Sequence, residues 1–316
     1  MILIKDGRVV DPETGLDETL DLIIEDGRIK EIGKFSESES YEKIISAKGK
    51  IVAPGLVDIH VHFRDPGFTY KEDVETGARS AAAGGYTTVV CMANTKPVID
   101  NVEVLKELEK REETLPIHVY NTAAVTMGLK GKELTDMPEL LKAGAIGFTD
   151  DGIPIKDEKL VMEAMKTAAQ LDVPISFHEE DPDLIGNSGI NSGEVARKLG
   201  LEGASALAEE VLVARDCLLA LRTGAKINIQ HVSSEVSVQI IRLMKKMGAK
   251  VYAEVTPQHF SLTEEAVLRK GTLAKVNPPL RTEKDRYALI QGLREGVLDV
   301  IATDHAPHSP DRKSVV

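Results

Sequence analysis

Leu56-Val57-Asp58-Ile59-His60-Val61-His62-Phe63-Arg64-Asp65-Pro66-Gly67 decides the fold. It begins as a strand, rich in β-branched residues, and ends in a polar cluster closed by Pro-Gly. An open, doubly wound sheet usually follows its first strand with a Gly-rich turn that cradles phosphate. Here the strand runs instead into His-Phe-Arg-Asp-Pro-Gly, and no G-x-G-x-x-G follows it. Downstream, strand patterns at 86–92, 116–121, 145–149, 173–178, 225–231, 249–254 and 297–303 complete a set of eight. Helical patterns fall between them at about 71–83, 102–112, 136–143, 157–171, 205–222, 234–247 and 283–294. Eight strands with seven intervening helices predict an α/β protein of the (β/α)₈, TIM-barrel type.

Local signals support these boundaries. Asp100 with Glu103, and Thr282 with Asp285, place an acceptor at an N-cap and an acid three residues on. Gly144, Gly224 and Gly248 stand where helix-ending glycines belong. Gly186 to Gly193 reads as a loop. Residues 1–53 differ in texture: short apolar runs flank Asp6-Gly7 and Asp26-Gly27, the dipeptides of tight hairpins, and 43–46 and 51–52 add strand material. We therefore expect a small N-terminal β module over 1–53 and a catalytic barrel over 54–316.

Composition narrows the class of function. With 39 Lys and Arg against 51 Asp and Glu, the net charge is −12, which disfavours a nucleic-acid partner. No apolar run approaches the roughly 20 residues that span a bilayer, and the N-terminus does not read as a secretory signal. Cys91 and Cys217 lie far apart and form no metal-spacing motif, so a reduced, cytoplasmic compartment is expected. Trp is absent and aromatics are 4%, so Val, Ile, Leu and Ala must fill the core.

Barrel enzymes carry their chemistry at the C-terminal ends of the strands. His60 and His62 end strand one, Asp150 and Asp151 strand four, His178 strand five, His231 strand six and Asp304 strand eight. Spacing of two on a strand points both imidazoles of His60-Val61-His62 to one face. Two histidines alone could be a polar strand end. Joined by acids and imidazoles from four other strands, they indicate metal binding. Six ligands exceed one tetrahedral site, and suit two ions about 3.5–4 Å apart sharing a hydroxide. The chemistry implied is hydrolysis of an amide, ester or phosphate, or its reverse.

Other polar residues have competing readings. His118 sits mid-strand and suggests a structural role; His259, after strand seven, is open to either. His308 is spaced to turn back over the mouth, whereas His305 could be a local hydrogen-bonding group. Arg64, two residues after His62, suits a clamp for a substrate carboxylate or an ion pair with Asp65 or Asp73. Asn94 and Asn277 could donate to the same anion or serve turns. Cys91-Met92 reads as packing.

Two long stretches carry a family resemblance. Asp58 to Gly67 and Ala302-Thr303-Asp304-His305-Ala306-Pro307-His308, with Lys313 beyond, resemble the signatures of dihydroorotases in the amidohydrolase superfamily. Phe148 to Gly152 and Val276-Asn277-Pro278-Pro279-Leu280-Arg281 resemble the intervening motifs of the class I bacterial type. The resemblance implies a zinc-dependent cyclic amidohydrolase interconverting dihydroorotate and N-carbamoyl-L-aspartate in pyrimidine biosynthesis. By position, it implies His60, His62 and Asp304 on one zinc, His178 and His231 on the other, and Asp151 rather than Asp150 as the bridge. Many relatives bridge with a carbamylated lysine, and no Lys ends strand four here. Asp304 is the implied proton carrier; His62, Arg64, Asn94, Asn277 and His308 are the implied substrate contacts. A homodimer is a family-level expectation. The alternatives are an allantoinase or hydantoinase-like enzyme, and a non-catalytic dihydroorotase-like subunit bound to an aspartate transcarbamoylase.

Length sets one more expectation. Strand eight ends near Thr303, leaving 13 residues, 304–316. A barrel takes an eighth helix there, about 10–14 residues plus its loop. The sequence thus leads us to expect a C-terminally truncated barrel lacking that helix, which Asp311 to Val316 cannot supply. Return strands for the β module and a Gly-containing substrate loop, both of which relatives bring from further on, would be absent too. An apolar groove between the first and seventh helices and reduced stability should follow.

Overall fold

The structure, a computed structural model, describes residues 1–37, 40–186 and 189–309. It divides into two units, Met1–Leu56 and Val57–Val316.

In the first unit β1 (Ile2–Asp11), β2 (Leu16–Glu25) and β3 (Arg28–Gly33) form an antiparallel meander. The short strands β4 (Lys43–Ser46) and β5 (Ile51–Val52) pair parallel to β1. Asp26 and Gly27, at φ 51° and 73°, make the β2–β3 turn as expected. Asp6-Gly7 does not make a hairpin. β1 runs through it with a register shift between Ile4 and Gly7, and Asp6 sits at φ 57°. The buried Asp21 carboxylate holds this bulge, accepting from the Asp6 backbone N–H at 2.8 Å and from that of Phe35 at 3.0 Å. Gly7 is required there, because a Cβ would lie 2.6 Å from Val52 Cγ2.

Beyond the first sheet, the described residues carry a ring of eight parallel strands: β6 (Leu56–Val61), β7 (Tyr86–Cys91), β8 (His118–Asn121), β9 (Phe148–Thr149), β10 (Pro174–Phe177), β11 (Lys226–Ile229), β12 (Val251–Val255) and β13 (Val300–Ile301). They pair as β6-β7-β8 and β9 through β13. Bridges Ala123–Phe148 and Val61–His305 join the two runs at both seams, and His62 N–H donates to His305 O at 2.8 Å. The strands fold as such because the apolar side chains on the face opposite the polar interior, among them Phe148, Ile175, Ile227 and Ile229, are shut from water. Each contributes about 1.5–3 kcal/mol of hydrophobic burial.

Helices α1 (Val74–Ala83), α2 (Val102–Glu112), α3 (Met137–Ala143) and α4 (Glu158–Leu171) follow β6 to β9 in turn. The short α5 (Glu194–Leu199) and the long α6 (Leu207–Thr223) follow β10, and α7 (Glu235–Lys246) follows β11. After β12 come α8 (Pro257–Ser261), α9 (Ala266–Lys270) and α10 (Glu283–Arg294). Thr282 and Asp285 form the expected capping box. The cap of α2 is Asn101, not Asp100: Asn101 accepts from Val104 N–H, while Asp100 turns away to accept from Gly128 N–H at 2.8 Å. An open groove of about 230 Å³ lies beside α1, lined by Val61, Phe63, Ala81 and Tyr86 and by the polar Asp58 and Thr303. Lys313 and the stretch 311–316 lie outside the described residues, as do 187 and 188 of the expected loop. Among the described residues no helix is long and apolar enough to cross a membrane.

Candidate metal centre

The strand ends bring the six expected residues into one cluster. His60 lies in β6 and His62 just past it, their ring centroids 5.3 Å apart. Asp151, His178, His231 and Asp304 follow β9, β10, β11 and β13 by one to three residues. Tight reversals aim the last two inward: His231 and Asp304 hold φ 35° and 49°, and Arg64 holds 61°. Such left-handed backbone costs non-glycine residues about 1–3 kcal/mol each and concentrates at functional sites.

Donor atoms converge. His60 Nε2 lies 3.4 Å from both Asp151 Oδ1 and Asp304 Oδ1. His62 Nε2 is 3.1 Å from Asp304 Oδ1 and 3.4 Å from Asp151 Oδ2. His178 Nδ1 stands 3.7 Å from Asp151 Oδ1 and 2.9 Å from His231 Nε2. Three overlapping groups could each hold an ion: His60, His62 and Asp151; His60, His231 and Asp304; Asp151, His178 and His231. The residues fit such a guest. His60 Nε2 and Asp151 Oδ1 are buried with no hydrogen-bond partner, and nitrogen with carboxylate oxygen is a zinc-type donor set. Asp151 belongs with both histidine pairs. Asp150 points elsewhere, accepting from the backbone N–H groups of Val125 and Thr126 at 2.7 and 3.0 Å.

Electrostatics keep the acids ionised. Burial alone would raise both carboxyls. The surrounding histidines win, holding Asp151 well below the usual carboxylate range and Asp304 at about 2. Burial opposes a proton on His178, but Asp151 and Glu180 lift it to about 10. Burial and the neighbouring His178 push His231 down.

Behind the cluster, each of three rings is anchored by its far nitrogen. His60 Nδ1 meets Glu254 Oε2 at 2.9 Å, His62 Nδ1 meets Asn94 Oδ1 at 3.0 Å, and His178 Nε2 meets Glu180 Oε2 at 3.0 Å. Neither glutamate was visible as a site residue in the sequence. For Glu254 the one signal was an acid inside the apolar strand Val251-Tyr252-Ala253-Glu254-Val255, and for Glu180 its place two residues after His178. Asn94 also donates to Asp151 Oδ2 at 2.9 Å, so its amide is engaged by two residues of the cluster rather than free toward an anion.

Above the cluster opens a cavity of about 670 Å³, lined by Tyr70, Lys275, Asn277, Asp304 and His308 among others. Arg64 is half-buried and donates from Nε to Pro307 O at 3.3 Å. His305 leaves the centre to meet Glu72 Oε2 at 2.7 Å. His118 is the exposed first residue of β8, at the opposite rim, its ring stacked 6.4 Å from that of Tyr120. His259 is buried beneath the Asn277-Pro278 turn.

Comparison with known proteins bears on these features. A family profile described as "Dihydro-orotase-like" matches residues 49–237. A protein of Clostridioides difficile named dihydroorotase is 60% identical over 313 residues, covering 99% of this chain and 74% of its own. The dihydroorotase of Clostridium acetobutylicum is 54% identical with the same coverage. Among solved structures, an L-hydantoinase (dihydropyrimidinase) from Arthrobacter aurescens superposes with a TM-score of 0.86 at 24% identity, covering 99% of this chain and 70% of that one. A D-hydantoinase from a Thermus species gives 0.79 at 23% identity, covering 98% and 70%. These likenesses show the barrel fold with its β module. The sequence relatives go further, and the chain belongs to the dihydroorotase family.

Proposed function

We propose that this chain is a zinc-dependent dihydroorotase, interconverting (S)-dihydroorotate and N-carbamoyl-L-aspartate in pyrimidine biosynthesis. The observation that carries the reading is the convergence of four imidazoles and two ionised carboxylates beneath a cavity, in a chain 60% identical to a named dihydroorotase. The chemistry is assigned to 54–316, with 1–53 as the accompanying β module. We assign His60, His62 and Asp304 to one ion, His178 and His231 to a second, and Asp151 to both. Bound there, two zinc ions would supply Lewis acidity for water activation and carbonyl polarisation.

The protein's own groups do the rest. Asp304, ionised and at the cavity floor, accepts the proton of the attacking water. It returns that proton to the ring nitrogen as the carbon–nitrogen bond breaks and the new carboxylate forms. Arg64, Asn277 and His308 are assigned to the carboxylate that the substrate carries throughout, and His62 to its near edge. Asn94, counted with these contacts by resemblance, would first have to release Asp151. Its present bonds favour orienting His62 and Asp151.

Cys91 and Cys217 are free and buried, which suits a reduced cytoplasmic compartment. A homodimer and an aspartate transcarbamoylase partner rest on resemblance alone. The hydantoinase-like alternative is favoured only by fold. Metal content by elemental analysis, then an ultraviolet assay with dihydroorotate and with hydantoin, tests the reading. Zinc and turnover of dihydroorotate are expected. Preference for hydantoin, or full zinc without turnover of either, would overturn it.

A further inference from the structure

We infer that Glu254 is a positioning residue for the metal centre: it fixes the tautomer and tilt of His60 so that Nε2 is presented to the ion. The inference rests on the metal-dependent reading above.

Glu254 lies on β12, the one barrel strand between β9 and β13 whose end contributes no expected ligand. Its side chain is fully buried, as is that of His60. A buried carboxylate without a compensating charge is costly. Among the described residues the only ion-pair partner of Glu254 is His60, at 2.9 Å from Nδ1, and no Lys or Arg pairs with it. Its other oxygen accepts from Asn228 Nδ2, which also donates to Ser176 Oγ at 3.3 Å. The carboxylate is thus held on one side by an amide on β11 and aimed on the other at imidazole. Gln230 Nε2 lies 3.4 Å from the same ring nitrogen. Two N–H groups cannot bond each other, so the shorter contact to the carboxylate places the proton on Nδ1. That leaves the Nε2 lone pair toward Asp151 and Asp304, where Nε2 has no hydrogen-bond partner. A positive ion beyond Nε2 would balance Glu254 through the ring, which explains why an acid is kept inside an apolar strand.

His60 stands in two of the three candidate ion-binding groups, so loosening it should weaken zinc more than loosening a peripheral ligand. Removing such an outer partner typically costs about 10–100-fold in metal affinity. The test is a chelator-competition titration of zinc on wild type, Glu254→Gln and Glu254→Asp, with the absorption spectrum of the cobalt-loaded proteins beside it. Glu254→Gln should lose about 10–100-fold in zinc affinity and shift the cobalt bands, and Glu254→Asp should recover part of both. A folded Glu254→Gln with unchanged affinity and spectrum would overturn the inference. Should the variants not fold, nitrogen-15 NMR of zinc-loaded wild type decides. A protonated His60 Nδ1 supports the assignment, and zinc on Nδ1 contradicts it. Wild type that binds no zinc at all would instead overturn the functional reading on which this rests.

Discussion

His259 Nε2 lies 2.8 Å from the carbonyl oxygen of Pro278. The ring donates there, because a carbonyl only accepts. Its Nδ1 in turn accepts from the Thr256 hydroxyl at 2.6 Å. Burial pushes the imidazole down to about 4, against the pull of the Pro278 carbonyl, so it stays neutral at physiological pH. The sequence left His259 open between structure and function. The geometry makes it a strut under Asn277. His259→Leu should raise KM for dihydroorotate about tenfold, with zinc content unchanged and kcat within a few-fold, since one buried hydrogen bond is worth about 1 kcal/mol and its loss strands a carbonyl. His259→Gln, which can still donate, should fall between. Steady-state kinetics at matched zinc content would reject the strut if KM did not move.

Arg64 adopts φ 61°, and its Nε donates to Pro307 O, beside the cavity residue His308. The adjoining Asp65 is clamped by Arg111, with Nη1 at 2.8 Å from Oδ1. A guanidinium so placed suits a carboxylate. Arg64→Ala should cost dihydroorotate about 1.5–3 kcal/mol in kcat/KM, the worth of a hydrogen bond to a charged group. Any residual turnover of hydantoin, which lacks the carboxylate, should change little. Equal losses on both rings would argue against the clamp.

Stability should depend on pH through Glu112, remote from the centre. Burial raises its carboxyl from 4.5 to about 7, only partly offset by the hydrogen bond from Asn121. Between these values the folded state keeps a proton that the unfolded state releases. The destabilisation is therefore absent below about pH 4.5 and complete above about pH 7, reaching about 3 kcal/mol at most. Glu112→Gln should match wild type near pH 4.5 and exceed it at pH 8 in urea midpoint. A constant difference across that range would count against the burial argument.

Much of this architecture was legible because strands and long helices repeat their pattern. Val102–Glu112 and Glu283–Arg294 are helices at the residues the periodicity indicated. The short α5, α8 and α9 were not foreseen, since five or six residues show no period. Asp6-Gly7 misled because the same dipeptide serves a bulge, and only the distant Asp21 decides between them. The convergence of His60, His62, Asp151, His178, His231 and Asp304 was legible once each was placed at a strand end. Glu254 was not, because its meaning depends on a ring 194 positions away. The spacing of Asp150 and Asp151 left both open and only resemblance favoured Asp151; in the structure Asp150 is turned to the backbone N–H groups of Val125 and Thr126.

On the proposed function, Asp304 carries the proton in cyclic amide hydrolysis at this centre. The most direct check is kcat for dihydroorotate of wild type and Asp304→Asn, both brought to the same measured zinc content. Wild type should turn over, and Asp304→Asn should be slower by about 10²–10⁴-fold while retaining most of its zinc. A near-wild-type rate for Asp304→Asn at equal zinc would contradict it.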